Sequence, residues 1–215
     1  RRSENRAKRE ELKKMGVKIF TSRHEASNVP KNADLVIYNA AIKKNNAELM
    51  AAKNYKLKAK SYAEAIGELT KKYYTIAVAG AHGKSTTTAM IAKILIDAGL
   101  DPTVIIGTKV KEFDKPVLPP MASLAFGGSS IEGSNFRKGN SKYFIIEADE
   151  YAGSFLNYQP DIAVVTNIDK EHLDFYKNEE RIKNAFKKFI LNVKTGGFLI
   201  LNNDDKNVLK LGLAL

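Results

Sequence analysis

The stretch that decides the fold is Tyr74-Thr75-Ile76-Ala77-Val78-Ala79, which runs directly into Gly80-Ala81-His82-Gly83-Lys84-Ser85-Thr86. The first six residues form a near-continuous apolar run, which is the pattern of a parallel strand buried on both faces. The two glycines predict a tight turn, and the apolar spacing after it predicts a helix that ends near Gly99. Strand, glycine loop and helix together form the arrangement that binds nucleotide phosphates, because backbone N–H groups and the positive end of the helix dipole face the loop.

The chemistry of this loop depends on its Lys-Ser pair. Lys84 would reach the β and γ phosphates of ATP, and the hydroxyl of Ser85 would hold Mg²⁺. Only two residues separate Gly80 from Gly83, whereas the common phosphate loop has four between its glycines. A strand-to-helix turn with an incidental Lys-Ser is the alternative. A Lys-Ser-Thr-Thr-Thr helix start directly after a buried strand favours the nucleotide, so we predict that residues 80–86 bind ATP.

Composition narrows the class of protein without choosing a function. The chain has 215 residues, 44% of them hydrophobic, and no cysteine. This content excludes wholesale disorder, and no apolar run reaches the roughly 18 residues that a membrane helix needs. Without cysteine, disulfides, thiol catalysis and Cys-ligated zinc are excluded, which fits a reducing compartment. The net charge of +11 indicates an anionic partner: nucleic acid, an anionic surface or a small phosphorylated ligand.

Strands that alternate with helices predict an α/β fold with a mainly parallel sheet. In the first part we expect a basic surface helix at residues 3–16, strands at 17–20 and 34–38, and a helix at 45–53. A short extended piece at 56–58 and a helix from Ser61 onward are expected to follow. The second part is predicted to contain strands at 74–79, 103–106, 143–147, 161–165 and 198–201, with a helix at 178–192. The boundary is expected near residues 71–73. Residues 107–140 read as a long loop of the kind that is often functional.

Polar residues follow two of the predicted strands. Glu147 ends one strand and is followed by Asp149 and Glu150, and the next strand is followed by Asn167, His172 and Asp174 in turn. In open α/β sheets, ligands bind beyond the carboxyl ends of the strands. A carboxylate there suits Mg²⁺. Solvated acids and a structural histidine are the alternative interpretations, and the sequence leaves both open.

Together these residues resemble the Mur ligase family. Residues 80–88 are similar to its Gly-x-His-Gly-Lys-[Ser/Thr]-Thr-Thr loop. The next two family motifs follow in the right order, as Glu147-Ala148-Asp149-Glu150 and as Thr166-Asn167-Ile168 with His172-Leu173-Asp174. Residues 38–49 resemble a motif of the first domain, so the resemblance covers nearly the whole chain. Ser154-Phe155-Leu156 and Gln159-Pro160 are most similar to the members that join L-alanine to UDP-N-acetylmuramate.

The resemblance implies a cytoplasmic, ATP-dependent amide ligase of peptidoglycan precursor synthesis. Such an enzyme joins L-alanine to UDP-N-acetylmuramate through an acyl phosphate and releases ADP and phosphate. It implies a partial Rossmann-like, UDP-sugar-binding domain over residues 1–72 and an incomplete P-loop-type ATPase domain over residues 73–215. The family's C-terminal ligase domain is expected to be missing, so we expect a fragment that does not complete catalysis alone. Neither nucleic acid nor membrane insertion is expected.

The family match also implies roles for individual residues. Lys84, Glu147 and His172 are the expected catalytic residues, and Ser85, Glu147 and His172 the expected metal ligands. Substrate contacts, including those to the UDP group, are expected from Asn39, Ala40, Ala41, Asn167 and Asp174.

This sequence departs from the family pattern at three places. Asn39-Ala40 stands where the family usually has two serines, and Ala81 stands in place of a threonine. Residues 114–133 form a connection longer than usual.

Three alternatives remain open from the sequence. The ligase that returns a whole tripeptide to UDP-N-acetylmuramate also carries Glu-Ala-Asp-Glu-Tyr, as at residues 147–151. The net charge and the basic first helix motivate a nucleic-acid-dependent P-loop ATPase, although no nucleic-acid module is recognised. A nucleotide-binding module without catalysis is the third alternative.

Overall fold

The computed structural model describes residues 9–10, 12–21, 23–114 and 134–213, apart from four side chains, those of Glu112, Asp114, Leu173 and Asp174. The chain divides into two compact units, Arg1–Tyr62 and Ala63–Leu215. No helix in the described part is long and apolar enough to cross a membrane.

The first unit is built on two short parallel strands, β1 (Val36–Tyr38) and β2 (Ala59–Ser61). Helix α1 (Ala47–Asn54) connects them and begins where the Asn46 side chain accepts hydrogen bonds from the N–H groups of Glu48 and Leu49. The predicted strand at 17–20 is wrong: among the described residues these four pair with no strand, and Val17 and Phe20 are exposed. Of the expected first helix, residues 9, 10 and 12–14 are helical, and residues 1–8 and 11 lie outside the described part.

The second unit contains a six-stranded sheet in the order β5-β4-β6-β3-β7-β8. Its strands are β3 (Tyr74–Ala79), β4 (Thr103–Val110), β5 (Ser134–Arg137), β6 (Tyr143–Glu147), β7 (Ile162–Val165) and β8 (Phe198–Leu201). All neighbours are parallel except β5, which runs antiparallel to β4. The predicted mainly parallel α/β fold is confirmed.

The described residues from 62 onward form the helices α2 (Tyr62–Lys72), α3 (Lys84–Asp97), α4 (Leu173–Tyr176), α5 (Glu179–Leu191) and α6 (Lys206–Leu213). The core has two layers. One cluster contains Phe144, Phe155, Phe186 and Phe189, and the other surrounds Val78, Val104 and Ile145. The predicted amphipathic helix at 178–192 is confirmed as α5. Sequence reasoning missed the short helix α6.

Helix α2 explains where the division between the units falls. A β-carbon on Gly67 would lie 2.4 Å from the carbonyl oxygen of Asn157, so α2 approaches residues 151–157 closely. The hydroxyl of Thr70 donates to Gly67 O at 2.6 Å and accepts from Gln159 N at 3.0 Å. These contacts attach most of α2 to the second unit. The division into compact units falls between residues 62 and 63, before α2 packs on the second unit, whereas the boundary was expected near residues 71–73.

The predicted long loop at 107–140 is wrong for much of its described part. Strand β4 continues to Val110, Lys111–Asp114 form a 3-10 helix, and β5 pairs with β4 through Val104 and Ile105. Buried Arg137 at the end of β5 donates to Asp101 and to Pro102 O, each at 2.6 Å. Polar and glycine-rich composition concealed this edge strand. Most of the longer connection expected at 114–133 lies outside the described residues.

Candidate active site

The parallel register brings three loops to one edge of the sheet. Strand β3 lies between β6 and β7, with Val78 beside Glu147 and Ala79 beside Val165. The glycine loop after β3, the acidic segment after β6 and the polar segment after β7 therefore start side by side. This confirms that the strand carrying Glu147 is a neighbour of the strand carrying the loop.

The glycine loop needs both of its glycines. Gly80 has φ +142°, and a β-carbon there would lie 2.0 Å from Thr166 Oγ1. Gly83 has φ +81° and immediately precedes the first residue of α3. A side chain at Gly80 would clash, and one at Gly83 would be strained in left-handed backbone. The glycine pattern therefore reflects the turn and the close approach of β7.

Thr166 and Asn167 fix the glycine loop from the end of β7. The amide of Asn167 makes a two-point contact with the backbone of His82, accepting from its N–H at 2.8 Å and donating to its oxygen at 2.9 Å. The hydroxyl of Thr166 donates to His82 O at 2.7 Å. Asn167 is thus engaged with the loop backbone. Sequence reasoning gave Thr166 no role, because its partner is backbone.

Lys84 is folded back onto its own loop. Its ammonium donates to Gly80 O at 2.5 Å, to Ala81 O at 3.2 Å and to Glu150 Oε1 at 3.1 Å. The side chain is 14% exposed. An ammonium has three N–H groups, so these three acceptors match its whole donor capacity.

Ser85 and Glu147 meet one residue further along helix α3. The hydroxyl of Ser85 donates to Glu147 Oε1 at 2.9 Å, and the N–H of Gly107 donates to Glu147 Oε2 at 2.6 Å. A hydroxyl and a carboxylate oxygen beside a phosphate loop are hard ligands that suit Mg²⁺. The donor set therefore fits the cation that the sequence predicted.

Glu150 is the buried carboxylate of the site, 3% exposed. Burial raises its pKa, against the opposing effect of its own backbone N–H and of Lys84. Its Oε2 lies 3.1 Å from Lys84 Nζ, but the angle does not make a hydrogen bond, and among the described residues this oxygen has no hydrogen-bond partner. Tyr176 OH donates to the backbone oxygen of Glu150, and burial, with the nearby Glu150 charge, raises the pKa of Tyr176 to about 12.

His172 lies beside Glu150, within the group that it forms with Asp149. Its Nε2 is 3.5 Å from Glu150 Oε1, and one potential ligand atom from each of the three residues lies within 4.8 Å of the others. Its φ of +56° is unusual for a residue other than glycine, and the Tyr151 ring packs edge-on against it at 5.0 Å. His172 thus lies beside Glu150, whereas Glu147 contacts Ser85.

Two clefts border the start of helix α3. One, of about 380 Å³, is lined by polar groups of His82, Thr87, Thr166 and Asn202 over the apolar ends of β7 and β8. The other, of about 540 Å³, is mainly apolar and extends from Ser85 along Met90 and Ile94 to Phe113. The end of the glycine loop and the start of α3 are therefore accessible to solvent from both clefts.

The other predicted site residues belong to the first unit or have side chains outside the described part. Asn39 follows β1 in the first unit, where its side chain accepts from Ala41 N at 2.9 Å and closes a local turn together with Ala40. The side chain of Asp174 is not among the described ones. Glu150 was visible in the sequence as one of three acids, but nothing in the pattern showed that it is buried. Tyr176 gave no signal.

Comparison with family models matches both parts of the chain. Residues 78–213 match the Mur ligase middle domain, and residues 2–74 match the Mur ligase family catalytic domain. The UDP-N-acetylmuramate–L-alanine ligase of Acetivibrio thermocellus is 43% identical over 201 residues, 93% of this chain and 38% of that protein. The enzyme of the same name from Aquifex aeolicus is 42% identical over 93% of this chain and 39% of that protein. The chain spans about two fifths of the length of these relatives.

Solved structures show the same fold. The UDP-N-acetylmuramate–alanine ligase MurC of Thermotoga maritima matches with a TM-score of 0.71 and 28% identity, over 93% of this chain and 42% of that one. A murein peptide ligase of Psychrobacter arcticus matches with a TM-score of 0.70 and 26% identity, over 95% of this chain and 43% of that one. The two alanine ligases are 43% and 42% identical to this chain, whereas the TM-scores do not separate the two kinds of enzyme.

Proposed function

This chain belongs to the Mur ligase family, and from that premise we propose that the full-length protein joins L-alanine to UDP-N-acetylmuramate at the expense of ATP. The observation that supports the ATP step best is the placement of Lys84 and Ser85 at the start of α3, beside the carboxylates that follow β6. A cytoplasmic location is part of the same proposal, because ATP and UDP-sugars are cytoplasmic substrates.

Phosphoryl transfer comes first in the proposed reaction. A carboxylate oxygen of the muramate attacks the γ phosphorus of ATP, the bond to the β–γ bridging oxygen breaks, and ADP leaves with an acyl phosphate remaining. Both reactants are anions, so the site must neutralise charge more than it must supply covalent chemistry. Lys84 and the N–H groups of residues 80–86 supply positive charge and dipoles at the β and γ phosphates.

Amide formation follows in the proposed reaction. The neutral amine of L-alanine attacks the acyl carbon, and the tetrahedral intermediate then expels phosphate. The amine nitrogen loses one proton in this step, and the departing phosphate takes it up. Asn167, Asp174 and the turn at Asn39, Ala40 and Ala41 remain proposed substrate contacts. The two-point contact between Asn167 and His82 supports a positioning role for Asn167, acting through the loop.

Ser85 and Glu147 would hold Mg²⁺, with His172 as a proposed ligand near the acyl phosphate. When bound, the cation would supply Lewis-acid neutralisation of the phosphate oxygens. Glu147 is oriented for this role by the N–H of Gly107, which leaves the other carboxylate oxygen directed to Ser85.

A ligase that joins a tripeptide instead of L-alanine is the second candidate, because the murein peptide ligase of Psychrobacter arcticus shares the fold equally well. The amine is the only difference in the reaction. The identities of 43% and 42% to two alanine ligases, over 93% of this chain, favour L-alanine.

Phosphate release from ATP by the full-length protein tests this proposal. With UDP-N-acetylmuramate present, L-alanine should stimulate release and Lys84→Met should abolish the stimulation. Glu10→Gln, a charge change on an exposed residue of the first unit, serves as the matched control and should retain it. Stimulation by the tripeptide L-Ala-γ-D-Glu-meso-diaminopimelate but not by L-alanine would select the second candidate.

A further inference from the structure

We propose that Glu150 is a positioning residue that holds Lys84 against the glycine loop and competes with the phosphates of a nucleotide for it. This inference rests on the proposed ATP site. It assigns a role to Glu150: its negative charge determines how strongly a polyphosphate must bind in order to separate Lys84 from it.

All three N–H groups of the Lys84 ammonium are engaged. Two loop carbonyls and Glu150 Oε1 occupy its three N–H groups at 2.5–3.2 Å. Any phosphate oxygen that takes a hydrogen bond from Lys84 must therefore displace one of them. Glu150 is the one partner of the three with a full negative charge, so it is the strongest competitor for the ammonium.

The burial of Glu150 makes the competition local. The carboxylate is 3% exposed, so water screens its charge weakly, and its second oxygen is close to Lys84 without a hydrogen bond. Its backbone is anchored as well, because the Gly153 N–H donates to Glu150 O at 3.0 Å and Tyr176 OH donates to the same oxygen. The backbone that carries the carboxylate is therefore held in place beside Lys84. The carboxylate cannot move away from an arriving phosphate as freely as one on a solvent-exposed segment could.

Charge repulsion acts in the same direction as donor competition. A nucleotide whose β or γ phosphate meets Lys84 also approaches the negative charge of Glu150. A nucleotide without those phosphates, such as AMP, does not compete for Lys84. Neutralising Glu150 should thus tighten the binding of ATP and ADP and leave AMP unchanged. If Glu150 had only a structural role, its substitution would weaken the binding of ATP and ADP or leave it unchanged.

Nucleotide titration of folded, full-length variants in the presence of Mg²⁺ tests this inference. Glu150→Gln keeps the shape and removes the charge, and it should tighten ATP binding by about tenfold, the size expected for one charged hydrogen bond. Glu150→Asp retains the charge and should stay within about twofold of wild type. Glu171→Gln removes a carboxylate 3.4 Å from the exposed His82 ring and should also change ATP binding by less than about twofold.

Acylation of Lys84 by an amine-reactive reagent, followed by mass spectrometry without nucleotide, gives a second measurement. Lys84 should react faster in Glu150→Gln than in wild type, with Lys194, which is paired to Asp161, as the internal reference. Unchanged or weaker ATP binding by folded Glu150→Gln, equal tightening by Glu171→Gln, or unchanged Lys84 reactivity would overturn the inference. Failure of wild type to bind any nucleotide would overturn the proposed ATP site itself.

Discussion

Two ion pairs in the second unit use similar groups and are satisfied differently. In the first, Arg137 donates to Asp101 Oδ1 at 2.6 Å and to Pro102 O, and the N–H and side-chain amide of Asn140 both donate to Asp101 Oδ2. In the second, Lys84 donates to Glu150 Oε1, and Glu150 Oε2 is left without a hydrogen bond among the described residues. The first pair joins β5 to the segment before β4, and the second joins the glycine loop to the segment after β6.

The pKa values follow this difference. Burial raises the pKa of Asp101, but its hydrogen bonds to Arg137 and Asn140 outweigh burial and lower it overall. At Glu150 burial outweighs Lys84, and the pKa is raised. A carboxylate whose oxygens are all paired stabilises the fold in its charged form, whereas one left partly unpaired favours the neutral form. The Arg137–Asp101 pair is thus fully hydrogen-bonded at its acid, whereas the Lys84–Glu150 pair, proposed above to meet the nucleotide, leaves one acid oxygen without a hydrogen bond among the described residues.

The largest effect is expected from breaking the structural pair. Arg137→Met removes the buried cation and leaves Asp101 charged, which should lower the free energy of unfolding by about 3 kcal/mol. Urea denaturation followed by circular dichroism measures this. Lys93→Met is the control, because Lys93 pairs with Asp97 on an exposed helix surface, and its loss should cost less than about 0.5 kcal/mol. Equal losses in the two variants would mean that the Arg137 pair contributes no more than a surface pair.

A smaller, pH-dependent loss is expected from Asp101→Asn. The folded pKa of Asp101 is lowered, so its contribution to stability is present above the unfolded value near 3.8 and is lost as the pH falls through the folded value. At pH 7 the variant should unfold about 2 kcal/mol more easily than wild type. The difference should shrink steadily below about pH 4. Urea midpoints at several pH values measure it, and a difference that stays constant down to pH 2 would contradict the assigned cause.

The same region of the molecule shows how much of the site could be predicted from the sequence. Strand β3, the glycine loop and helix α3 were predictable because apolar periodicity, glycines and Lys-Ser all indicate one local structure. The positions of Glu147 and His172 at the carboxyl ends of β6 and β7, the two strands that flank β3, followed from the rule for open sheets. The pairing of Glu150 with Lys84 was not predictable, because an acidic triplet has the same appearance whether it is solvated or buried.

Edge elements were predicted least well for a related reason. The strand expected at 17–20 has the right residue types but no partner strand in the described part of the chain. In contrast, β5, in a Gly/Ser-rich segment, is fixed by the contact of Arg137 with Asp101, which is distant in sequence. The unusual backbone of His172 and the hydrogen bond from Tyr176 to Glu150 also depend on tertiary packing. Local patterns contain no information about such partners.

The smallest change in stability is expected at the Lys84–Glu150 pair, the proposed ligand-binding pair. There Glu150→Gln is the substitution that corresponds to Asp101→Asn. Glu150→Gln replaces a carboxylate whose charge burial disfavours by a neutral amide of the same shape, and the amide oxygen can still accept from Lys84. The two effects oppose each other, so the free energy of unfolding of the nucleotide-free protein should change by less than about 1 kcal/mol. The same urea titration at pH 7 measures this, with Asp101→Asn as the comparison. A loss at Glu150 as large as that at Asp101 would show that both carboxylates stabilise the fold in their charged forms, and the distinction between a structural pair and a ligand-binding pair would then fail.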